Sequence, residues 1–327
     1  MTRIICGVDI SSTSLDARIG RDGVAGSFAN TTEGINALAA FCQAHQVELV
    51  AMEATGGYEQ KPFTLLSEQG LPVTILNPRS VRRFADSMGQ REKTDALDAG
   101  VIAWFAEVKR SKPFSLSSAT QLHLRALVTR LRQLTDIRTA QRNQSRLVTD
   151  PTVLAAFVEL NTLLARQIKD LENAIAALFS KDPLWHELDL AFRTIKGVAD
   201  RTVARLMAEM PEIGTVSNKS ISKLAGVAPL ARDSGKFQGQ RSVSGGRAAV
   251  REILFVVASV VGRHEPDFVA FQKRLSAAGK PRKVIRIALA HKLLVRLNAK
   301  AREVRARLAL SSVNQPGLLV GANQLSS

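Results

Sequence analysis

The stretch RIICGVDISSTSLDARIGRDGVAGSFAN, residues 3–30, decides the fold. Residues 3–10 (RIICGVDI) form an apolar run rich in Ile and Val and read as a buried strand. A polar SSTS turn follows, then LDARIG as a second strand and GVAGSFAN as a third. Working outward, TEGINALAAFCQAH carries apolar residues at helical spacing, with Thr32 as its expected N-cap. VELVAMEAT is again a buried strand, and YEQKPFTLLSEQG a helix closed by Gly70. LPVTILNP is a further strand, stopped by Pro78, and SVRRFADSMG and KTDALDAGVIAWFAEV read as helices. Three clustered strands followed by helix–strand–helix–strand–helix describe a mixed sheet covered by helices. That order matches an α/β ribonuclease-H-like (RuvC-like) domain. A doubly wound nucleotide-binding fold is disfavoured, because no GxGxxG follows the first strand and no Walker loop occurs.

From about 118 the pattern changes. Leu124, Leu127, Leu131 and Leu134 follow a 3–4–3 spacing, and Leu164, Ile168, Leu171, Ile175 and Leu178 a 4–3–4–3 spacing. Both are coiled-coil-like seams, broken by Asp150-Pro151 into two helices. Further on, IKGVADRTVARLMAEMPEIG places a Gly turn between helical patterns, in the manner of a helix–hairpin–helix that points amides at a phosphate, though a plain helical turn fits as well. The expected organisation is a RuvC-like domain over 1–112, an α-helical coiled-coil linker and dimerisation region over 113–182, a mainly α-helical C-terminal domain over 183–310, and a loose tail over 311–327.

The charge is divided between the two parts of the chain. The 327 residues carry 45 Lys+Arg against 29 Asp+Glu. Residues 1–115 hold 12 of the bases and 13 of the acids, a net of −1, which leaves +17 on residues 116–327. A field of that size favours a polyanion, because each neutralised phosphate releases counterions. Two helices concentrate the charge. One carries Arg125, Arg130, Arg132, Arg138, Arg142 and Arg146 against Asp136 alone, and a second, over 280–307, includes Lys283 and Arg286 and a single acid, Glu303. Aromatics are only 5%, which argues against a single-strand binder whose main device is stacking on aromatic rings. No run of about 18 apolar residues occurs, so no membrane partner is expected. The first residues run quickly into charge and do not read as a signal peptide. Cys6 and Cys42 fall in segments expected to be buried, with no zinc spacing around them, so a cytoplasmic, reducing setting is expected.

Four acids form the candidate metal site. Asp9 ends the first strand, Glu53 ends a later strand expected beside it, and Asp95 and Asp98 lie three apart on one helix. Carboxylates gathered at one point repel each other unless a cation sits among them. Hard divalent ions such as Mg²⁺ take this ligand set, and two of them can activate a nucleophile and support the leaving oxygen of a phosphodiester. The loop DSGKFQGQRSVSGGR (233–247) places Ser234 and Ser244 beside glycines, with Lys236, Arg241 and Arg247 close by. Read from these residues alone, a phosphate-gripping loop without covalent chemistry is the favoured reading; a serine could be a nucleophile, but no His base lies in the loop and activation would have to come from elsewhere.

The strings GVDISSTSLDARI, AMEATGGYE and NPRSVRRFADSMGQREKTDALDAGVIAWFA resemble the DEDD transposases of the IS110 insertion-sequence family and the related Piv-type DNA invertases. IKGVADRTVARLMAEM and LAGVAPLARDSGKFQGQRSVSGGRAAVREILF resemble that family's second conserved domain, so the likeness spans roughly residues 3–300. It implies a Mg²⁺-binding tetrad at Asp9, Glu53, Asp95 and Asp98 and a catalytic serine at Ser234, which reverses the reading of the loop as passive. It further implies strand exchange through a serine–DNA phosphodiester, with the acids of one subunit completing the serine site of another. Double-stranded target and donor DNA and a structured non-coding bridge RNA are the implied partners. The implied assembly is a homodimer pairing into a homotetramer, with the helical middle as dimer seam, in a bacterial, nucleoid-associated setting. Lys236, Arg241 and Arg247 are expected to offset phosphate charge, and Arg138, Arg142, Lys283 and Arg286 to contact nucleic acid. Three other classes compete: a RuvC-like junction nuclease using water as nucleophile, an actin-like kinase suggested weakly by DISSTS, and a non-catalytic nucleic-acid scaffold.

Overall fold

A computed structural model describes residues 3–89, 95–114, 118–229 and 241–313, with backbone alone for 95–97, 312 and 313. The chain divides into two compact units, Met1–Ser117 and Ser118–Ser327.

The first unit is built on a five-stranded sheet of order β3-β2-β1-β4-β5. β1 (Ile5–Ile10), β2 (Ser14–Ile19) and β3 (Ala25–Ala29) form an antiparallel meander. β4 (Leu49–Glu53) and β5 (Val73–Leu76) continue the sheet parallel to β1. The parallel pairs need crossovers. α1 (Thr32–Ala44) and α2 (Gln60–Glu68) supply them, and α3 (Pro78–Ser87) and α4 (Asp95–Val108) follow β5. Strand alternation sorts the core into two layers. Cys6, Val8, Ile10, Leu15, Val50 and Met52 pack with Ile35 and Leu38 of α1 and Leu66 of α2. Ile5, Leu49, Ala51 and Leu76 pack with Val81 of α3 and Ile102 and Ala106 of α4. This is the RuvC-like α/β order expected from the sequence.

Two local expectations need correction. Thr31, not Thr32, caps α1, because its hydroxyl accepts from the Gly34 amide while Thr32 is already helical. Pro78 does more than stop β5: it opens α3 at its first turn, where its missing N–H costs nothing, behind the Asn77 cap.

The second unit is helical. α5 (Ala119–Ser145) and α6 (Pro151–Lys181) form a hairpin whose second arm is capped by Asp150. α7 (Pro183–Arg193), α8 (Asp200–Glu209), α9 (Asn218–Ala225), α10 (Ala248–His264), α11 (Pro266–Ala277) and α12 (Arg282–Val313) complete it. The seam residues Leu124, Leu131, Leu134, Leu164, Ile168 and Ile175 are all buried in one continuous core with α7–α12. They stabilise this chain by about 1.5–3 kcal/mol each and are not open to a second copy. The residues of the hairpin that do face outward are others, among them Leu147, Val153 and Val158. α12 is the spine of the unit. Its fully buried Asn298 accepts from the Gly214 amide at 2.8 Å and donates to the Val216 carbonyl and to Asn218 Oδ1.

The turn before α8 is a packing device. Gly197, at φ +100°, lies against Val260 and Val261 of α10, and the Lys196 amide donates to Glu265. That amide is thereby already taken. The helical-turn reading holds, and the phosphate-cradling one gains nothing here.

Candidate active site

Asp9 and Glu53 come together through sheet register. β1 and β4 pair in parallel with Gly7 beside Ala51 and Val8 beside Met52, so the next positions, Asp9 and Glu53, sit side by side at adjacent strand ends. Ile5, Leu49 and Ala51 pack on the α4 face, and side chains alternate, so Gly7, Asp9 and Glu53 belong to that face too. α4 crosses it very closely. A Cβ at Gly7 would lie 1.9 Å from the Ala99 carbonyl oxygen and 2.6 Å from the Ala103 nitrogen. The other end of β1 is tied to the segment after α4, where Arg3 donates to the Ser111 carbonyl at 3.0 Å. α4 therefore runs antiparallel to β1, and its first turn, with Asp98 next to Ala99, lies toward the strand ends that carry Asp9 and Glu53. Asp95 is the first residue of α4; its side chain lies outside the described residues.

One acid was not anticipated. Asp16 of β2 is the register partner of Asp9 and faces the same side of the sheet. The hairpin DISSTSLD held the signal, since a short turn closing near Ser12 pairs those two aspartates. That turn is well tied: Ser11 Oγ accepts from the Thr13 and Ser14 amides, and the Ser11 carbonyl accepts from Asn30 Nδ2.

The loop leaving Glu53 is held by Glu59, a buried carboxylate that accepts from the Thr55 amide and hydroxyl, the Gly57 amide and Gln60 Nε2 at 2.8–3.1 Å. Burial pushes this carboxyl up. The bonds from its own amide, from Gln60 and from the Gly57 and Thr55 amides outweigh that and leave it below the usual range. A lowered folded pKa means the clip contributes in full above the unfolded value of about 4.3 and is lost as the pH falls through the folded one. Glu59→Gln is therefore expected to cost about 1–3 kcal/mol at neutral pH and to speed hydrogen exchange at Thr55 and Gly57. The cost should shrink in acid. An equal cost at pH 3 and pH 7 would contradict this role.

The donor set is all hard oxygen, which suits a divalent cation such as Mg²⁺ in kind. Among the described residues no three His, Cys, Asp or Glu side chains stand close enough to hold a metal ion. Topology thus gathers the acids at one strand end and one helix end without drawing three described side chains into a coordination cluster.

In the second unit, Ser234 and Lys236 lie outside the described residues, as does the chain beyond Val313. Arg241 and Ser244 are exposed. Gly245 and Gly246 serve backbone packing: a Cβ at Gly246 would lie 2.3 Å from the Gly226 nitrogen, so the loop's end presses directly on the C-terminus of α9. Arg247 departs from expectation. Its guanidinium grips Glu212 in two bonds, at 2.5 and 2.7 Å, and donates to the Glu209 carbonyl at 2.8 Å. Glu212 is half-buried, and Arg247 holds its carboxyl below the usual range against that partial burial. Arg247 therefore anchors the start of α10, and its charge is already neutralised. Arg138 is half-buried and Arg142 exposed on α5. Lys283 is exposed and Arg286 half-buried at the start of α12.

Comparison with known proteins adds the decisive observation. A transposase family model, the DEDD transposase of IS110, matches residues 6–152, spanning the sheet, α4 and α5. A second model, the IS116/IS110/IS902 transposase family, matches residues 189–273. The chain belongs to the IS110 family of transposases. It is also related to invertases: the pilin gene-inverting proteins of Moraxella bovis and Moraxella lacunata are each 29% identical over 323 residues, 93% of this chain and 98% of theirs. A solved structure of Thermus thermophilus RuvC aligns with 34% of this chain and 99% of its own, at 17% identity and a TM-score of 0.25. The fold assignment rests instead on the strand order above. As an IS110-family transposase, the protein is a DNA-binding enzyme of DNA recombination or transposition. Among the described residues, no helix is long and apolar enough to cross a membrane.

Proposed function

We propose that this transposase exchanges DNA strands through a covalent serine–DNA intermediate, with Ser234 as nucleophile and Asp9, Glu53, Asp95 and Asp98 as holders of Mg²⁺. The observation that carries the reading is the register that sets Asp9 beside Glu53, with the first turn of α4 approaching the same strand ends. Bound there, Mg²⁺ supplies charge stabilisation for a phosphodiester under attack. Ser234 Oγ loses its proton and bonds to phosphorus while one sugar oxygen leaves and is protonated. Attack by a sugar hydroxyl then reverses the step, rejoins the strand and regenerates the serine. Bond energy is conserved in the ester, so ATP is not needed.

The partners follow from charge. Six arginines of the second unit, Arg193, Arg201, Arg205, Arg247, Arg296 and Arg307, pair with acids, whereas Arg125, Arg132, Arg138 and Arg142 of α5 and Arg146 at its C-cap make no ion pair with a described residue. That unmatched helix suits a phosphate backbone of target or donor DNA or of a structured bridge RNA. Few aromatics suit a protein that leaves sequence reading to base pairing. The working unit is a homotetramer of two dimers, acting in the bacterial cytoplasm on nucleoid DNA. Because most of the seam residues are buried within the chain and Leu127, Leu171 and Leu178 are half-buried, a dimer contact on the hairpin would fall on its outward residues, such as Leu147 and Val158.

Trapping the intermediate tests the chemistry. Denaturing electrophoresis of wild type with Mg²⁺, guide RNA and end-labelled DNA should show a protein–DNA adduct, and Ser234→Ala should show none while still binding the nucleic acids. An adduct with Ser234→Ala would refute the assignment of the nucleophile. A second reading, favoured by the pilin gene-inverting relatives, is site-specific inversion by the same chemistry. Product mapping on a substrate with two inverted sites separates it from insertion.

A further inference from the structure

A cavity of about 480 Å³ opens between α10, α11 and the first turns of α12. Four cations line it, Arg263, Arg282, Lys283 and Arg286, and no carboxylate does. None of the four makes an ion pair with a described residue. Their mutual repulsion costs stability that a bound anion would recover. The walls are not merely polar. Phe255, Ile285 and Leu289 supply an apolar side, and the Arg286 guanidinium lies over the Phe255 ring, 4.6 Å from its centre. A phosphate alone would leave that side unused. The volume falls in the range of about 300–1,000 Å³ typical of sites that enclose a small ligand.

We infer that this cavity receives one unpaired nucleotide of a bound polynucleotide, its phosphate held by Arg263, Arg282 and Lys283 and its base stacked on Arg286. Guanidinium planes stack on exposed bases, and a guanidinium already fixed against a ring loses little freedom in doing so. The net charge of +17 on this part of the chain favours a polymer over a free nucleotide. Sequence composition pointed away from aromatic stacking. Here a guanidinium supplies the stacking surface, which a low aromatic count does not forbid. The inference rests on the reading of the protein as a nucleic-acid enzyme and adds what it captures.

Binding of the full chain to 2-aminopurine-labelled single-stranded RNA, the same DNA strand and a blunt DNA duplex tests it, with inorganic phosphate and a mononucleotide as competitors. Wild type should quench the label in at least one single strand, and whichever strand binds tighter is the source of the nucleotide. Arg286→Ala should weaken single-strand binding about tenfold, at least fivefold more than it weakens duplex binding. Arg286→Lys keeps the charge and loses the plane, so it should behave like Arg286→Ala. Recovery of wild-type affinity by Arg286→Lys, or equal losses on single strand and duplex, would overturn the inference. So would a mononucleotide that competes at the single strand's own affinity. Duplex binding with no quenching of either single strand would defeat this inference and leave the proposed function standing. Failure to bind any of the three would defeat both.

Discussion

Asp9→Asn is expected to lower DNA strand cleavage about a thousandfold or more while leaving the protein folded. Asp9 stands at the end of β1, where its register neighbour on one side is Glu53 and on the other Asp16, so three acids share one edge of the sheet face. Like charges placed this near one another repel, and a cation between them would relieve the repulsion. The substitution is nearly isosteric and removes one negative charge from that edge. The metal-free melting midpoint should therefore stay within about 2 °C of wild type. Glu53→Gln should behave alike. The actin-like kinase and the passive scaffold both predict otherwise, since neither would give wild type a DNA cleavage activity that depends on these acids. Cleavage assays with purified variants, each checked by circular dichroism, give the answer; retention of even a tenth of wild-type activity by Asp9→Asn would count against the acid site.

Gly7→Ala should act in the opposite manner, through the fold. The added methyl would meet the α4 backbone at Ala99 and Ala103, not the yielding end of a side chain, so helix and sheet must separate. Overpacking of this kind costs about 3 kcal/mol. It also displaces the first turn of α4, which carries Asp95 and Asp98, so activity should fall in parallel with stability. Urea unfolding can be followed by Trp104, which lies on α4 against Phe84, in a Trp185→Phe background. A midpoint unchanged from wild type would mean that α4 does not pack on β1 as described. Comparing the two variants separates roles that adjacent positions of one strand could confuse: Asp9 acts by charge, Gly7 by closeness.

Much of the first unit was legible because its signals are local. The Ile/Val runs, the turn residues and the helical spacings each depend on a few neighbours, and the order of elements then limits the sheet to few topologies. Glu53 could be set beside Asp9 because parallel strands of such a sheet adjoin. Asp16 was missed because its importance lies in register, which needs the turn to be counted residue by residue. The cap of α1 was misplaced by one residue since Thr31 and Thr32 differ only in which hydroxyl reaches the Gly34 amide.

The second unit was harder for the opposite reason. A heptad-like seam says that a helix face is buried and is silent on whether its partner belongs to the same chain; here α6–α8 and α12 supply it. Arg247 stood in a Gly- and Arg-rich loop and invited a phosphate reading, yet its carboxylate partner lies 35 residues back at Glu212. Gly246 likewise serves a contact with Gly226 that no local pattern announces. The cavity beside α12 joins Arg263 to Arg286 across three helices, so only the fold reveals that those charges share a space.

The central claim is that the acids at the ends of β1 and β4 and at the start of α4 bind the divalent ion on which strand cleavage depends. Manganese titration followed by electron paramagnetic resonance tests it directly, because bound Mn²⁺ loses the sharp signal of the free ion. Wild type in the presence of duplex DNA should remove Mn²⁺ from the free pool at a fixed stoichiometry, and Asp9→Asn and Glu53→Gln should each lose that capacity. Equal uptake by all three proteins would contradict the claim.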